Sequence, residues 1–357
     1  MKRSIHSFFP TPIGNSVLLL FVVALVFAAC SAPNKQIKED DKSAKPTWVD
    51  NPQVLYPEGM YLAAVGIGST REAANSFAIG NIAKIFKVEV KASSEVIQRY
   101  MEFTAGNQTS TAGMTTSDQN VRVDTEANLF NIKIGQNWVD ELGRHYTLAY
   151  QDRQQTAQIM EQRITDNTQR ILTNLKKALK EGDPWMQFAL IDNAAMISLL
   201  NSEMLEQLGI ISPSTRSGIQ LGYDPEVLRL QRADAAKKLI FAVDVNGDPD
   251  NKIKPVIEQT ISQMGFSLRG ENPNKIDAVV SFEDVVLDQP QKFTRYSLAL
   301  NVLDHNGKKV LTIADSGREG HINQPEAKAR AIRTVNAKIT NEMPKKVWAY
   351  IDTLAKK

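Results

Sequence analysis

The stretch Tyr61-Leu62-Ala63-Ala64-Val65-Gly66-Ile67-Gly68 decides the first part of the fold, because it is an apolar run that ends in glycines. Such a run is typical of a β-strand. Ser69 and Glu72 follow with the spacing of a capping box, which predicts the start of a helix. Apolar residues then recur at helical spacing until about Phe86. This pattern predicts a helix that packs on the strand by one face.

Further elements extend this pair into a first domain, predicted over residues 46–150. Trp48 precedes the strand and is expected to be buried as a lid on the fold. Two more strands are predicted over 129–139 and 144–150, with Leu142-Gly143 as the turn between them. Between the helix and these strands, the pattern predicts a strand start at Val88-Glu89-Val90 and a Ser/Thr-rich loop over 104–120. Trp138, in the first of the two later strands, is expected to pack into the core.

Residues 151–238 are predicted to be a helical hairpin with an additional helix. Apolar residues over 164–179 fall at helical spacing. Gly182 ends that helix, and Asp183-Pro184 supplies the cap and the first residue of the next one. The remaining predicted boundaries are a stop at Gly209, a loop over 212–222 and a third helix from Asp224-Pro225.

Residues 239–357 are predicted to form a second α+β domain. Asn306-Gly307 is a strong hairpin turn between two of its strands. The predicted elements are strands over 239–245, 277–287, 296–304 and 309–314, and helices over 252–264, over 325–340 and from Pro344. The order β-α-β-β-β-α is similar to that of the Tol amino-terminal domain and of the lipoprotein activator of penicillin-binding proteins. The predicted fold class is α+β, with two small α+β domains joined by a helical hairpin region.

The N-terminus has the three parts of a secretory signal peptide, predicted over residues 1–29. Lys2 and Arg3 give a positive start, an apolar run covers 17–29, and small residues precede Cys30. The apolar run is shorter than the roughly 20 residues that a membrane span needs. Small residues followed by cysteine are typical of bacterial lipoprotein signals, in which the thiol receives a lipid.

Cys30 is therefore predicted to be the lipidated first residue of the mature chain, carrying diacylglycerol and palmitate. It is the only cysteine, so it has no partner for a disulfide. Phe27 departs from the usual leucine, and an ordinary signal peptide cut near Ala29 is the alternative. Ser31 follows where aspartate retains many lipoproteins at the inner membrane. This indicates the outer membrane. The periplasmic side is favoured, and the outer surface of the cell is the alternative that the sequence leaves open.

Composition limits the classes of partner. The chain has 42 Lys and Arg against 40 Asp and Glu, and loss of Lys2 and Arg3 with the signal leaves a mature net charge near zero. A neutral balance gives no electrostatic basis for binding nucleic acid. Residues 30–45 are polar and charged and are predicted to be a lipidated flexible tether.

Several motifs of the first domain resemble the bacterial lipoprotein family called Lpp-twenty. The resemblance covers roughly 46–150, and the lipidation signal upstream of these residues is consistent with the family. It implies a small α+β fold and a role in the cell envelope, and it brings no catalytic residue; relatives include a domain of the flagellar T-ring protein. The motifs are Pro46-Thr47-Trp48-Val49-Asp50-Asn51-Pro52, the strand 61–68, Val88-Glu89-Val90 and Trp138-Val139-Asp140.

Two motifs could hold a phosphate or a metal. Gly66-Ile67-Gly68 lies between a strand and a helix, but Arg71 occupies the third glycine position of the dinucleotide fingerprint. The acidic stretch 244–250 resembles a calcium loop, but its sixth and twelfth positions are Pro249 and Pro255. A tight turn is favoured over phosphate binding, and a strand-to-helix turn over calcium.

The search for catalytic groups gives no candidate. Three histidines remain in the mature chain, at positions 145, 305 and 321, and none has a partner at zinc-ligand spacing. With Cys30 lipidated there is no thiol nucleophile, and Glu283 and Asp284 are expected to face opposite sides of a strand. The sequence predicts a protein that is not an enzyme and has no metal or cofactor.

Two functions remain open at this point. The first is a non-enzymatic scaffold or interaction module, tethered to the membrane by lipid, with an envelope protein or the cell wall as partner. The alternative is a periplasmic carrier of a small apolar ligand. A large apolar cavity favours the carrier, whereas tightly filled cores argue against it.

Overall fold

The computed structural model describes residues 44–86, 131–286 and 290–356, whose folded elements belong to one compact unit, Lys45–Lys357. The predicted signal peptide, Cys30, nearly all of the tether, the strand start at Val88 and the loop over 104–120 lie outside the described residues. The described elements include two sheets and several helices, so the α+β class is confirmed. The predicted domain boundaries stay a prediction.

The first sheet is antiparallel, with strand order β1-β3-β2. Helix α1 packs on one face of it, where apolar side chains of strand and helix form a shared core. On the other face, Trp48 of the segment that enters the fold packs with Tyr146 and Leu148 of β3, and all three are buried. The elements are short 3₁₀ turns at Thr47–Val49 and Pro52–Val54, β1 at Tyr61–Gly68, α1 at Arg71–Phe86, β2 at Lys133–Val139 and β3 at His145–Asp152.

The two glycines of β1 allow α1 to lie directly on the strand. A Cβ at Gly66 would stand 2.1 Å from the backbone nitrogen of Ala78, and one at Gly68 would stand 2.5 Å from that of Ala74. The glycines therefore allow close helix–strand packing. They do not form the predicted tight turn, because both lie within β1 and neither has a positive φ. The predicted cap at Ser69 is wrong by one residue, because the hydroxyl of Thr70 accepts the backbone N–H of Ala73.

The middle of the chain contains four helices: α2 at Arg153–Ala178, α3 at Pro184–Ile211, α4 at Pro213–Gly218 and α5 at Pro225–Lys237. Asp183 and Asp224 cap α3 and α5, as the sequence predicted. The stop at Gly209 is wrong, because burial of the last turn of α3 around Ile211 outweighs the cost of a helical glycine, about 1 kcal/mol. The loop predicted over 212–222 contains α4, which Ser212 caps through the backbone N–H of Thr215.

The second sheet has strand order β4-β5-β6-β7, with β4 and β5 parallel and the other pairs antiparallel. Helices α6 and α7 cover one face of it and form the largest core with its inward side chains. The elements are β4 at Phe241–Asn246, a 3₁₀ turn at Pro249–Asn251, α6 at Lys254–Gln263, β5 at Asn274–Val285, β6 at Lys292–Leu303, β7 at Lys309–His321 and α7 at Gln324–Ala355.

A final helix from Pro344 is the wrong prediction in this region, because α7 continues through that residue. Proline inside a helix removes one backbone hydrogen bond and costs about 3 kcal/mol. Buried apolar residues continue on both sides of it, with Ile339 before and Val347 after, both fully buried. Their burial against the sheet outweighs the cost of the proline.

Trp185 joins the helical middle to the second sheet. Its indole Nε1 donates to Oδ1 of Asn274, at the start of β5, over 2.7 Å, and both residues are buried. The side-chain amide of Asn274 in turn donates to the carbonyl of Ile240. Rings of Phe241 and Tyr350 contact Trp185 edge-on. Helix α3 is therefore part of the core of the second sheet.

Candidate interaction surface

The face of the second sheet that points away from α6 and α7 is exposed. It results from alternation along the strands: the inward side chains over 276–280 of β5 and 296–302 of β6, with Ile313 of β7, are apolar and buried, while their neighbours point outward. We call its central part the open sheet face. Its residues are Asp277, Val279 and Ser281 of β5, Ser297, Ala299 and Asn301 of β6, and Thr312, Ala314 and Ser316 of β7.

Strand register arranges these side chains in three rows across the sheet. Val279, Ala299 and Ala314 are opposite one another and form an apolar central row. A serine row lies on one side, where the hydroxyls of Ser281 and Ser297 are 2.7 Å apart. All nine side chains are small or medium in size, so the surface is flat.

Charged residues border the open sheet face at both strand ends. Glu283, Arg295 and Arg318 form the next row beyond the serines. The guanidinium of Arg318 lies 5.4 Å from the ring centre of Phe293, which keeps this cation on the sheet surface. Lys275 and Lys309 stand at the opposite end. The surface therefore has an apolar centre and a charged rim, which is the anatomy of many protein interfaces.

The edge of the sheet at β7 is partly closed to further strands. The ammonium of Lys346 donates to the carbonyl of Thr312 over 3.0 Å, and Arg330 donates to the carbonyl of Gly320 over 3.0 Å. Both cations come from α7. Long charged side chains at an edge are a common way to prevent strand addition. The open sheet face, more than the edge, is therefore available to a partner.

Two depressions on the described surface lack the apolar enclosure of a carrier's pocket. One, of about 300 Å³, lies between α2, α3 and the end of α7 and is lined by Arg170, Asn174 and Asn193, among others. Another, of about 500 Å³, lies along α2 and is lined mostly by glutamines. Both are open to solvent and most of their lining residues are polar, whereas ligand carriers enclose their ligand among apolar side chains.

The acidic stretch 244–250 serves as a helix cap. The carboxylate of Asp248 accepts the backbone N–H groups of Lys252, Ile253 and Lys254 at 2.8 to 3.0 Å. A Cβ at Gly247, whose φ is +80°, would stand 2.0 Å from the carbonyl oxygen of Val280. Across residues 44–86, 131–286 and 290–356, no three His, Cys, Asp or Glu side chains come together as a metal site.

The groups considered for chemistry do not converge. His145 begins β3, His305 is exposed in the β6–β7 turn, and His321 ends β7. Asp284 accepts the side-chain amide of Gln324, a contact at the sheet end that binds strand to helix. The predicted lipid site, Cys30, lies outside the described residues. Sequence analysis did not predict the exposed rows of the open sheet face. The alternation over 296–304 was the signal for them, because it places every second side chain of that strand on the outward face.

Comparison with known proteins supports the first domain most directly. Residues 46–152 match the family model described as LPP20 lipoprotein. No curated protein matches the chain. Among the described helices, none is both long enough and apolar enough to cross a bilayer.

Solved structures show distant similarity only. A minor lipoprotein of Acinetobacter baumannii is 9% identical, with 31% of this chain and 93% of that one covered and a TM-score of 0.25. A secreted protein of Helicobacter pylori is 13% identical, with 78% and 97% covered and a TM-score of 0.34. A putative neuraminyllactose-binding hemagglutinin homolog of Helicobacter pylori is 13% identical, with 32% and 89% covered and a TM-score of 0.23. The match of residues 46–152 to the LPP20 lipoprotein family indicates a lipoprotein of the cell envelope.

Proposed function

We propose that this protein is a non-enzymatic scaffold or interaction module, held at the periplasmic side of the outer membrane by lipid on Cys30. Two observations support a lipid anchor on Cys30: the small residues that precede it, as in bacterial lipoprotein signals, and the match of residues 46–152 to the LPP20 lipoprotein family. Two or more acyl chains hold a protein on a bilayer firmly, whereas one chain binds only marginally. The folded part would then be displayed beyond the tether of residues 30–45.

The open sheet face is the observation that carries the proposal for an interaction role. Val279, at its centre, has 54% of its surface exposed. Three strands about 4.8 Å apart, each contributing about five residues, give an area of about 250 Å². A stable interface needs about 800 Å² on each partner. A partner at this face therefore binds transiently or extends over the charged rim.

A substitution on the open sheet face tests the interaction role. Val279→Arg places a long cation in the apolar row, and Val227→Arg is the matched control, because Val227 of α5 is exposed to a similar degree, 49%. Both lipidated variants are captured from crosslinked envelopes together with bound proteins and cell-wall fragments. We expect a binding partner that is recovered with the Val227→Arg variant and is absent from the material captured with the Val279→Arg variant. Equal recovery with both variants, or no binding partner at all, contradicts the proposal.

Mass spectrometry of the mature N-terminus tests the anchor. The expected species begins at residue 30 and carries a diacylglyceryl thioether with an additional acyl chain. Cys30→Ser should abolish incorporation of labelled palmitate and release the chain from the membrane fraction. A mature N-terminus without lipid contradicts the anchor, and it leaves the interaction role of the open sheet face to be tested separately.

A further inference from the structure

An exposed leucine stands among lysines where α2 ends. Leu179 has 87% of its surface exposed although it directly follows the buried Ala178. Lys176, Lys177 and Lys180 surround it in sequence, and all three are exposed. Packing among residues 44–86, 131–286 and 290–356 gives no reason for an apolar side chain of this size at this position.

A hydrogen-bond relay brings a second pair of lysines to the same place. The side-chain amide of Gln187, in the first turn of α3, donates to the carbonyl of Ala178 over 3.1 Å. Lys238, just after α5, donates to the carbonyl oxygen of that same amide over 3.5 Å. Lys237 precedes it and is exposed. We call Leu179 together with Lys176, Lys177, Lys180, Lys237 and Lys238 the lysine tip.

The carboxylates close to the lysine tip are partly engaged with backbone. Asp183 accepts the N–H of Trp185, and Glu181 accepts the N–H of Asp183. Asp234 lies 3.4 Å from Lys237, and both side chains are highly exposed, so this ion pair is weak. Five lysines and these three carboxylates leave the lysine tip with a net positive charge of two.

We propose that the lysine tip docks on a bilayer surface that contains anionic phospholipid. Lysines attract anionic headgroups while their alkyl stems lie along the interface. Leu179, at the centre, would enter the boundary between headgroups and acyl chains. A soluble polyanion would satisfy the lysines equally well but would leave Leu179 in water. The exposed leucine is therefore the reason to choose a bilayer.

The contact does not depend on lipidation, and it can be measured without it. A chain from Ser31 onward lacks the signal and the lipid but keeps the whole compact unit of residues 45–357. Its binding to vesicles reports on the lysine tip alone. Failure of this experiment leaves the anchor and the open sheet face untouched, because neither takes part in it.

The experiment compares sedimentation with vesicles of phosphatidylcholine alone and with vesicles containing 30% phosphatidylglycerol. Lys176→Glu/Lys177→Glu reverses the net charge of the lysine tip, and Leu179→Ser removes the apolar group. The matched controls are Lys292→Glu/Lys328→Glu, with the same change in net charge, and Ile322→Ser, whose side chain is 81% exposed. Circular dichroism confirms that each variant is folded.

We expect binding to anionic vesicles only, weakened severalfold when ionic strength rises from 20 to 300 mM, because exposed charges are screened by salt. Lys176→Glu/Lys177→Glu should lower the partition coefficient at least tenfold and Leu179→Ser about threefold, with both controls unchanged. Equal loss in test and control variants, or no binding to any vesicle, overturns the proposal. The proposal is also overturned if the protein binds heparin as tightly as it binds vesicles and Leu179→Ser leaves the heparin affinity unchanged. That result identifies a soluble polyanion as the partner.

Discussion

Replacement of Trp185 by phenylalanine tests whether helix α3 is part of the core of the second sheet. The substitution removes the indole N–H and leaves Oδ1 of Asn274 buried without its donor. An unpaired buried acceptor costs about 1–3 kcal/mol. The smaller ring also leaves a cavity on the order of 40 Å³, which adds about 1 kcal/mol. We expect the free energy of unfolding to fall by about 2–4 kcal/mol in total.

Trp138 provides the matched control. Its Nε1 is buried and has no hydrogen-bond partner in the described part of the chain. Trp138→Phe loses a similar volume but also removes an unpaired donor, so the expected cost is at most about 1 kcal/mol. Urea unfolding followed by far-ultraviolet circular dichroism measures both variants, because fluorescence would change with the tryptophan itself.

A double-mutant cycle identifies the partner. Asn274→Ala is combined with Trp185→Phe, and we expect a coupling free energy of about 1 kcal/mol or more between these two residues in contact. The unfolding transition should also stay single, because α3 and the second sheet share one core. A cost for Trp185→Phe no larger than that for Trp138→Phe, together with no coupling, would refute this account.

Three further predictions concern the backbone. Gly66→Ala should lower the free energy of unfolding by about 2 kcal/mol or more, because the backbone of Ala78 lies too close for a Cβ. Gly80→Ala, whose Cβ would meet no atom within 4 Å, should raise it by about 0.5–1 kcal/mol, and equal effects of the two substitutions in urea unfolding would contradict the packing role of Gly66. Pro344→Ala should raise the free energy of unfolding by about 1–3 kcal/mol, and a loss of stability in the same assay would show that the proline fits α7 without cost. Asp248→Ala should lower the free energy of unfolding by about 1–2 kcal/mol through loss of the cap, and millimolar calcium should leave the thermal midpoint of the native chain unchanged; a calcium-induced rise would restore the calcium-loop interpretation.

Local chemistry explains the parts of the fold that the sequence predicted. Asp183-Pro184 and Asp224-Pro225 cap helices through contacts within three residues, so their effect does not depend on the rest of the chain. The turn at Asn306-Gly307 is similar, because Gly307 adopts a φ of +78° that glycine accepts without strain. Such signals lie in adjacent residues and are visible in the sequence.

Long-range packing decided the features that the sequence did not predict. Proline normally begins or ends a helix, and only the continuous burial on both sides of Pro344 reverses that preference. The partner of Trp185 lies 89 residues away, at Asn274. The apolar row of the open sheet face needs the register of three strands, which fixes Val279 opposite Ala299. None of these pairings has a local signal.

The contrast between the β7 edge and the open face of the second sheet gives the proposed interaction role a physical basis. An exposed strand edge pairs with almost any other strand, because backbone hydrogen bonds carry no sequence information. Lys346 and Arg330 occupy two carbonyls on that edge, whereas the adjoining face keeps an exposed apolar row around Val279. Recognition through a face depends on side-chain shape and on the charged rim, which distinguish one partner from another. The second sheet therefore hinders strand pairing at its β7 edge and leaves its open face to the selective association that we propose.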